Sequence, residues 1–206
     1  MNICVIIAGG DVTGAVQIPE GSLVICADSG LYHAKRLGIT PDVIIGDFDS
    51  YTDAVPEDIP VLRLPVEKDV TDTMRAVQYG EEHGCGKFHI YGALGGARID
   101  HSLATLQMLR YLYEHGKHAV LCHGNTLISM QYGDGSPHRY PRFAGDFSLF
   151  AMTEVCEGVT IRGTKYDVEH ITLRNNFPLG VSNTITAGFA EVTVQSGLLL
   201  VVQVRQ

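Results

Sequence analysis

The chain has 206 residues, of which 45% are hydrophobic and 18% charged, and its formal net charge is −8. This composition is typical of a folded globular protein and excludes a disordered chain. The negative charge argues against nucleic-acid and anionic-membrane partners, because both are held by lysine and arginine side chains. The five cysteines lie far apart without a CxxC pair, which predicts reduced, structural thiols in a cytoplasmic protein.

Short apolar runs in the first two thirds of the chain read as buried strands, with helical segments between several of them. The runs occupy residues 3–8, 23–27, 43–45, 61–64, 87–91 and 119–122. Continuous apolar runs are typical of parallel sheets covered on both faces. In open sheets of this kind, the loops at the carboxyl ends of the strands meet in one crevice. The sequence therefore predicts an α/β domain with an open parallel sheet and a site at that edge.

The first two apolar runs are followed by small and acidic residues. Gly9 and Gly10 could bring backbone N–H groups close to a phosphate, although a tight turn explains them equally well. Asp28 and Ser29 follow the second run and are expected to cap a helix that ends near Leu37, with the Asp28 carboxylate as one N-cap candidate. The same carboxylate can also face the crevice, and the two roles are compatible.

A pair of carboxylates, Asp47 and Asp49, follows the third run. In an extended segment, side chains two residues apart point to the same side. Two close carboxylates repel each other unless a cation lies between them. Mg²⁺ is commonly held by one or two carboxylates together with substrate phosphates. The pair therefore predicts a metal site, with a solvated turn as the alternative.

A second acidic cluster follows the fourth run and opens a helix expected over residues 73–83. Asp69 or Thr71 is expected to cap this helix. Asp72 would then lie near the first carboxylate pair and could complete a metal shell. Lys68 offers a positive charge for a phosphate or a leaving group, and a solvated surface lysine is the alternative.

The fifth apolar run is followed by a glycine-rich loop. Gly95 and Gly96 permit close approach of the backbone, and Arg98 can donate two parallel hydrogen bonds to phosphate oxygens. Asp100 is expected to cap a helix that runs to about residue 114. The neighbouring His101 has no paired nucleophile, so we expect it to pack on the loop rather than to act as an acid or base.

The composition of the sequence changes after residue 132. Residues 133–137 are rich in turn-forming residues and are expected to form a linker. The runs beyond it, at residues 147–151, 155–161, 170–173, 191–194 and 198–204, are broken by glycine, asparagine and proline. No helical periodicity of useful length appears, which predicts an all-β module of about seventy residues. Two domains are thus expected, 1–132 and 133–206.

The acidic clusters, taken in this order, resemble the sequence pattern of the thiamine pyrophosphokinase family. The matching segments are residues 27–30, 41–50, 68–72 and 95–101, with 163–166 and 180–183 in the β module. Ser29 stands where the family usually has glycine, a small change that the loop should tolerate. Thr184 stands where many bacterial members have glutamate, which puts a role for an acid at that position in doubt.

The resemblance implies a Rossmann-like α/β domain that binds ATP and Mg²⁺, followed by a β-sandwich that helps to hold thiamine. It also implies a homodimer, with thiamine bound between the α/β domain of one subunit and the β module of the other. The matching positions imply Mg²⁺ ligands at Asp47, Asp49 and Asp72, a thiamine-site carboxylate at Asp28, a lysine of the site at Lys68, nucleotide and phosphate contacts at Gly95, Gly96, Arg98 and Asp100, and thiamine-facing side chains at Tyr166 and Ser182.

The implied reaction transfers the diphosphate group of ATP to the hydroxyl of thiamine, giving thiamine diphosphate and AMP. Such transfers depend mainly on positioning and on charge neutralisation, which fits catalytic roles for Lys68, Asp72, Arg98 and Asp100. Asp72 or Asp100 could accept the hydroxyl proton, and the sequence does not decide between them. The aromatic face of Tyr166 could contact the thiazolium cation. The alternative is that Tyr166 packs in the core of the β module.

Two other functions stay open from the sequence. One is a different Mg²⁺-dependent phosphotransferase or phosphohydrolase, although the first strand is followed by Ala8-Gly9-Gly10 rather than by Asp-x-Asp, and no GxxxxGK[ST] motif occurs. The other is a non-catalytic thiamine or nucleotide sensor. Such a sensor should have lost metal carboxylates, whereas Asp47, Asp49 and Asp72 are all present.

Overall fold

The computed structural model describes residues 2–48, 55–67, 69–96 and 98–206. The chain divides into two compact units, Met1–Gly124 and Asn125–Gln206. The division lies before the strand Thr126–Tyr132, whereas the change in sequence pattern predicts a domain boundary after residue 132. This strand belongs to the second unit because it pairs along its whole length with the last strand of the chain, Leu198–Arg205.

The described part of the first unit holds six strands that pair in parallel, as the apolar runs predict. Their order across the sheet is β4-β3-β2-β1-β5-β6. The chain therefore builds outward from β1 on one side and then returns to add β5 and β6 on the other. The strands are β1 (Asn2–Ile7), β2 (Leu23–Ala27), β3 (Val43–Gly46), β4 (Val61–Arg63), β5 (Cys85–Tyr91) and β6 (His118–His123).

Three helices accompany these strands in the described part of the first unit: α1 (Gly30–Leu37), α2 (Asp72–Glu82) and α3 (Ile99–Glu114). Thr71 is the N-cap of α2, and its hydroxyl accepts a hydrogen bond from the Met74 N–H at 3.1 Å. The expected cap at Asp100 is wrong. Arg98 occupies the N-cap position of α3. Asp100 lies in the first helical turn, where the positive end of the helix stabilises a carboxylate.

Much of the core of the first unit is formed by residues of the strands that the apolar runs predict. One cluster contains Val5, Ile7, Val24, Cys26, Leu31 and Ile44, all with at most 7% of their surface exposed. Burying a side chain of this size contributes about 1.5–3 kcal/mol. The predicted α/β class is therefore explained by apolar runs that are covered on both faces.

None of the five cysteines, all of which lie in the described ranges, forms a disulfide, and four of the five are buried. Burial raises the pKa of the Cys26 thiol to about 12, and it also raises the pKa of Cys4 and Cys85. These thiols therefore remain protonated at neutral pH and act as small apolar side chains.

The second unit is built from strands, and its described residues contain no helix. One set of antiparallel strands is β7 (Thr126–Tyr132), β13 (Leu198–Arg205) and β9 (Gly145–Ala151). A four-stranded sheet has the order β11 (Val168–Arg174), β10 (Val155–Arg162), β12 (Phe189–Thr193) and β8 (His138–Pro141). A single hydrophobic cluster takes Phe147, Leu149, Leu199 and Val201 from the first set and Val159, Leu173, Ala190 and Val192 from the second.

None of the helices in the described ranges combines the length and apolar character that crossing a bilayer requires.

Candidate active site

Two of the predicted carboxylates lie at the ends of neighbouring strands in the first unit. Asp28 follows β2 and Asp47 follows β3, and the Asp28 N–H donates a hydrogen bond to the Ile45 carbonyl at 2.8 Å. A Cβ atom on Gly46 would lie 2.9 Å from the Asp28 Cα, so this approach requires glycine. Asp28 has a positive φ of 48°, a conformation that is uncommon for a residue with a side chain and that often marks functional sites.

Asp72 is placed at the same edge of the sheet by the topology. The chain leaves β4 at its carboxyl end, forms α2, and returns to β5, which is parallel to β4 within the sheet. The first turn of α2 therefore lies at the edge where the strands end. Asp72 is in that turn and is half-buried. The predicted residues Asp49 and Lys68 lie outside the described residues.

The donor set fits Mg²⁺ in chemical type. Asp47 and Asp72 supply carboxylate oxygens, which are hard ligands. Within the described ranges, no three or more histidine, cysteine or acidic side chains come together as a metal cluster. Mg²⁺ commonly takes only one or two protein carboxylates and completes its shell with phosphate oxygens and water. A site of this kind suits Mg²⁺ better than a closed structural zinc site.

Ser29, the residue at the position where glycine is usual, is accommodated by Gly9. A Cβ atom on Gly9 would lie 2.0 Å from the Ser29 Oγ, so the serine side chain occupies space that the missing side chain leaves. The N-cap of α1 is Ser29 and not Asp28, and the Ser29 side chain makes no capping hydrogen bond. The expected tolerance of serine at this position thus has a physical explanation in the loop that follows β1.

A glycine loop, defined as residues 92–96, follows β5 and is tied on both sides. Gly92, Gly95 and Gly96 have φ values of 66°, 77° and 76°, which favour glycine. The Gly10 N–H donates to the Gly92 carbonyl at 2.6 Å, and the Thr105 hydroxyl donates to the Ala93 carbonyl at 2.8 Å. The loop therefore has a defined conformation, as a phosphate-binding backbone requires.

Arg98 and Asp100 form an ion pair on the surface at the start of α3. The Arg98 Nε lies 2.9 Å from Asp100 Oδ1, and their side chains are 67% and 61% exposed. Hydrogen bonding from Arg98 lowers the pKa of Asp100 to about 2. The structure thus brings these two predicted residues together, and it makes Asp100 a weak proton acceptor at neutral pH.

Replacing Arg98 by alanine should return the pKa of Asp100 from about 2 toward its ordinary value of 3.8. A carboxyl whose folded-state pKa is lowered stabilises the fold above its unfolded pKa and loses that contribution as the pH falls through the folded value. The pH titration of the Asp100 carboxyl carbon by NMR measures the shift. Arg110→Ala, which removes another exposed arginine of α3 paired with Glu114, should leave the titration of Asp100 unchanged. An unchanged pKa in Arg98→Ala would contradict the pairing.

The predicted residues of the second unit, Tyr166 and Ser182, belong to two segments that a buried asparagine joins. The Asn183 Oδ1 accepts from the N–H groups of Tyr166 at 3.0 Å and Thr184 at 2.8 Å. Its Nδ2 donates to the Thr164 Oγ1 and to the Tyr166 carbonyl, each at 3.0 Å. Asn183 is only 8% exposed, so the four hydrogen bonds are shielded from water.

The two side chains that the family resemblance assigns to thiamine, Tyr166 and Ser182, are exposed to solvent beside this network. Tyr166 is 58% exposed, which removes the alternative of a core aromatic, and the Lys165 Nζ lies 5.1 Å from its ring centroid. Ser182 has a φ of 57°, and its N–H donates to the Ser148 hydroxyl at 2.9 Å. Thr184 contributes through its backbone, since its carbonyl accepts from the Lys165 N–H at 2.8 Å.

Two residues with clear roles in these networks, Asp11 and Asn183, were not among the predicted site residues. The Asp11 carboxylate accepts a hydrogen bond from the Gly96 N–H across 85 residues of sequence. No local pattern signals that contact. For Asn183 a signal did exist, because it ends the segment 180–183, one of the segments that carry the family resemblance.

Comparisons with known proteins match both units. The family model described as "Thiamin pyrophosphokinase, catalytic domain" matches residues 17–121, and "Thiamin pyrophosphokinase, vitamin B1 binding domain" matches residues 138–199. A thiamine pyrophosphokinase of Bacillus subtilis is 28% identical over 96% of each chain. Thiamin pyrophosphokinase 1 of Caenorhabditis elegans is 26% identical over 79% of this chain and 70% of its own.

Solved structures show the same fold. The crystal structure of the thiamine pyrophosphokinase from Bacillus subtilis superposes with a TM-score of 0.88 at 23% identity, and each chain is covered completely. The yeast thiamin pyrophosphokinase gives a TM-score of 0.74 at 16% identity, with 98% of this chain and 86% of that chain covered. Because the two family models together span most of the sequence, this chain belongs to the thiamine pyrophosphokinase family of enzymes.

Proposed function

We propose that this enzyme transfers the diphosphate group of ATP to the hydroxyl of thiamine, giving thiamine diphosphate and AMP, and that the reaction depends on Mg²⁺. The observation that carries the proposal is the placement of Asp28, Asp47 and Asp72 at the same edge of a parallel sheet, after β2, after β3 and at the start of α2. This edge belongs to the unit that matches the catalytic-domain model. Family membership supplies the substrate class.

The metal site of the proposal consists of Asp47 and Asp72, with Asp49 as the third predicted ligand. Mg²⁺ bound there would neutralise charge on the phosphate oxygens and orient them. The two carboxylates would hold the ion from different elements, since Asp47 follows β3 and Asp72 begins α2. Lys68, four residues before Asp72, is assigned to the transferred phosphates or the leaving group.

The nucleotide contacts of the proposal are Gly95, Gly96 and Arg98. The two glycines allow phosphates to approach the backbone closely, and the Arg98 guanidinium can donate two parallel hydrogen bonds to phosphate oxygens. Asp100 holds this guanidinium through their ion pair. The hydroxyl of thiamine needs a proton acceptor. The Arg98 guanidinium lowers the pKa of Asp100, which argues against Asp100 in this role, so we assign proton acceptance to the other candidate, Asp72.

The thiamine contacts of the proposal are Tyr166, Ser182 and Asp28. The exposed ring of Tyr166 can face the thiazolium cation, and the Asp28 carboxylate adds attraction for the same charge. Both features fit a cationic substrate.

We also propose that the first unit has a Rossmann-like fold and that the second is a β-sandwich.

We also propose a cytoplasmic homodimer in which two subunits share the thiamine site. Support for an interface comes from the second unit, where Phe177, Leu179 and Val181 are 64%, 58% and 47% exposed. Apolar side chains exposed close together are typical of interaction surfaces. They adjoin a cavity of about 290 Å³ that is lined by residues 149–151 and 173–180. Sedimentation of the purified chain at several concentrations tests the dimer.

The proposed reaction is tested by incubating the purified chain with ATP, Mg²⁺ and thiamine and identifying both products. We expect AMP and thiamine diphosphate, loss of both in EDTA, and recovery when Mg²⁺ is added back. ADP with thiamine monophosphate would overturn diphosphate transfer and support another phosphotransferase. Thiamine binding without any product would support a sensor. A reaction lacking thiamine controls for hydrolysis of ATP.

A further inference from the structure

Asp11 connects the loop after β1 with the loop after β5. The strand order reverses at β1, which has β2 on one side and β5 on the other. The loops after β1 and β5 therefore border the crevice in which open α/β sheets bind their ligands. Asp11 lies in the first of these loops, and the glycine loop is the second.

The contact itself is a hydrogen bond between a charged acceptor and a backbone donor. The Asp11 Oδ2 accepts from the Gly96 N–H at 2.9 Å. Bonds of this type are stronger than those between neutral groups. The start of the glycine loop is held by Gly10 and Thr105, so Asp11 adds an attachment at its far end.

The far end of the loop is also packed against Asp11. A Cβ atom placed on Gly95 would lie 2.8 Å from the Asp11 Oδ2 and 2.9 Å from the His123 Cε1. Gly95 and Gly96 both have positive φ values, and glycine loses more conformational freedom on ordering than any other residue. Two consecutive glycines therefore need an external contact to keep one conformation.

We propose that Asp11 is a positioning residue for nucleotide binding: its carboxylate holds Gly95 and Gly96 in the conformation that receives the phosphates of ATP. The inference rests on the proposed function and deepens it. The Asp11 side chain acts through the loop and does not touch the reacting atoms.

Removing the contact lowers the fraction of molecules whose loop is ready to bind. The apparent dissociation constant rises in proportion to the fall in that fraction. We expect Asp11→Ala to weaken binding of ATP with Mg²⁺ by about tenfold or more, the equivalent of one hydrogen bond to a charged group. Asp11→Asn should weaken binding by only a few fold, about as much as the charge adds to the bond, because its amide oxygen can still accept from Gly96. Thiamine binding should not change in either variant.

Isothermal titration of the full chain with ATP and Mg²⁺, and separately with thiamine, measures these affinities. Glu20→Ala is the matched control, since it removes another exposed carboxylate of the same unit and changes the net charge equally. Wild-type affinity for ATP in Asp11→Ala, or tighter binding, would overturn the proposal. Equal weakening in Asp11→Asn would also overturn it, because charge rather than the hydrogen bond would then be responsible.

Hydrogen exchange of the Gly96 amide separates this inference from the proposed function. We expect faster exchange in Asp11→Ala than in the wild type, with no change in Asp11→Asn. This readout does not require any activity. If the wild type fails to bind ATP at all, the proposed function fails, whereas unchanged exchange of the Gly96 amide in Asp11→Ala contradicts the positioning role itself.

Discussion

Replacing Asp72 by asparagine should lower the rate of diphosphate transfer by about a thousandfold or more, because one charged ligand of the proposed metal site is lost. The change conserves the shape of the side chain and leaves Thr71, which caps α2, in place. We therefore expect the melting temperature to change little. Steady-state assays of AMP formation, together with thermal unfolding, measure both quantities.

The control for Asp72→Asn is Asp58→Asn, which removes one exposed carboxylate of the same unit with the same change in charge. This control should keep wild-type activity. Asp47→Asn and Asp49→Ala should behave like Asp72→Asn. Retained turnover in Asp72→Asn with an intact fold would remove this residue from the metal site and from proton acceptance.

The parallel sheet could be predicted because it depends on a property that is local in the sequence. The central strands of the first unit are buried on both faces and therefore appear as apolar runs, as Val43 to Ile45 illustrates. The domain boundary could not be placed in the same way. The strand Thr126–Tyr132 has an apolar pattern like its predecessors, and only its pairing with Leu198–Val204 assigns it to the second unit.

The carboxylates at the edge of the sheet were predictable because topology alone brings them together. Residues that follow parallel strands must meet at one edge, so Asp28 and Asp47 needed no long-range information. The cap of α3 illustrates the opposite case. Asp100 has the right residue type for an N-cap, but the N-cap of the helix lies two residues earlier, at Arg98, and the Asp100 carboxylate accepts from the Arg98 guanidinium instead.

Contacts between distant segments were beyond the reach of the sequence pattern. The hydrogen bond from Gly96 to Asp11 joins residues that are 85 positions apart, and the one from Asn183 to Thr164 joins residues 19 apart. Neither acceptor stands in a turn or cap signature that names its partner. Contacts of this kind are therefore harder to predict from the sequence than the position of a residue that follows a strand.

Replacing Asn183 by alanine should destabilise the second unit by about 3 kcal/mol, because several shielded hydrogen bonds are lost and their partners stay partly buried. The backbone N–H and carbonyl of Tyr166 both depend on this side chain. We therefore also expect a rise in KM for thiamine, while KM for ATP stays near the wild-type value. Urea denaturation and steady-state kinetics measure the two effects.

Asn176→Ala is the matched control for Asn183→Ala, since it truncates an exposed asparagine of the same unit and should change stability by less than about 0.5 kcal/mol. If the two variants lose equal stability, the network around Asn183 is not what holds the segment.

Asn183→Asp separates the donor bonds of this side chain from its acceptor bonds. The new carboxyl can keep the bonds from the Tyr166 and Thr184 N–H groups, but when ionised it loses the donors that serve the Thr164 hydroxyl and the Tyr166 carbonyl. Burial and the neighbouring carbonyl disfavour the charged form and raise its pKa. This variant should therefore lose stability as the pH rises through that pKa, whereas Asn183→Ala should show no such dependence. A pH-independent loss in Asn183→Asp would mean that shape, rather than the donated hydrogen bonds, is what the site requires of this residue.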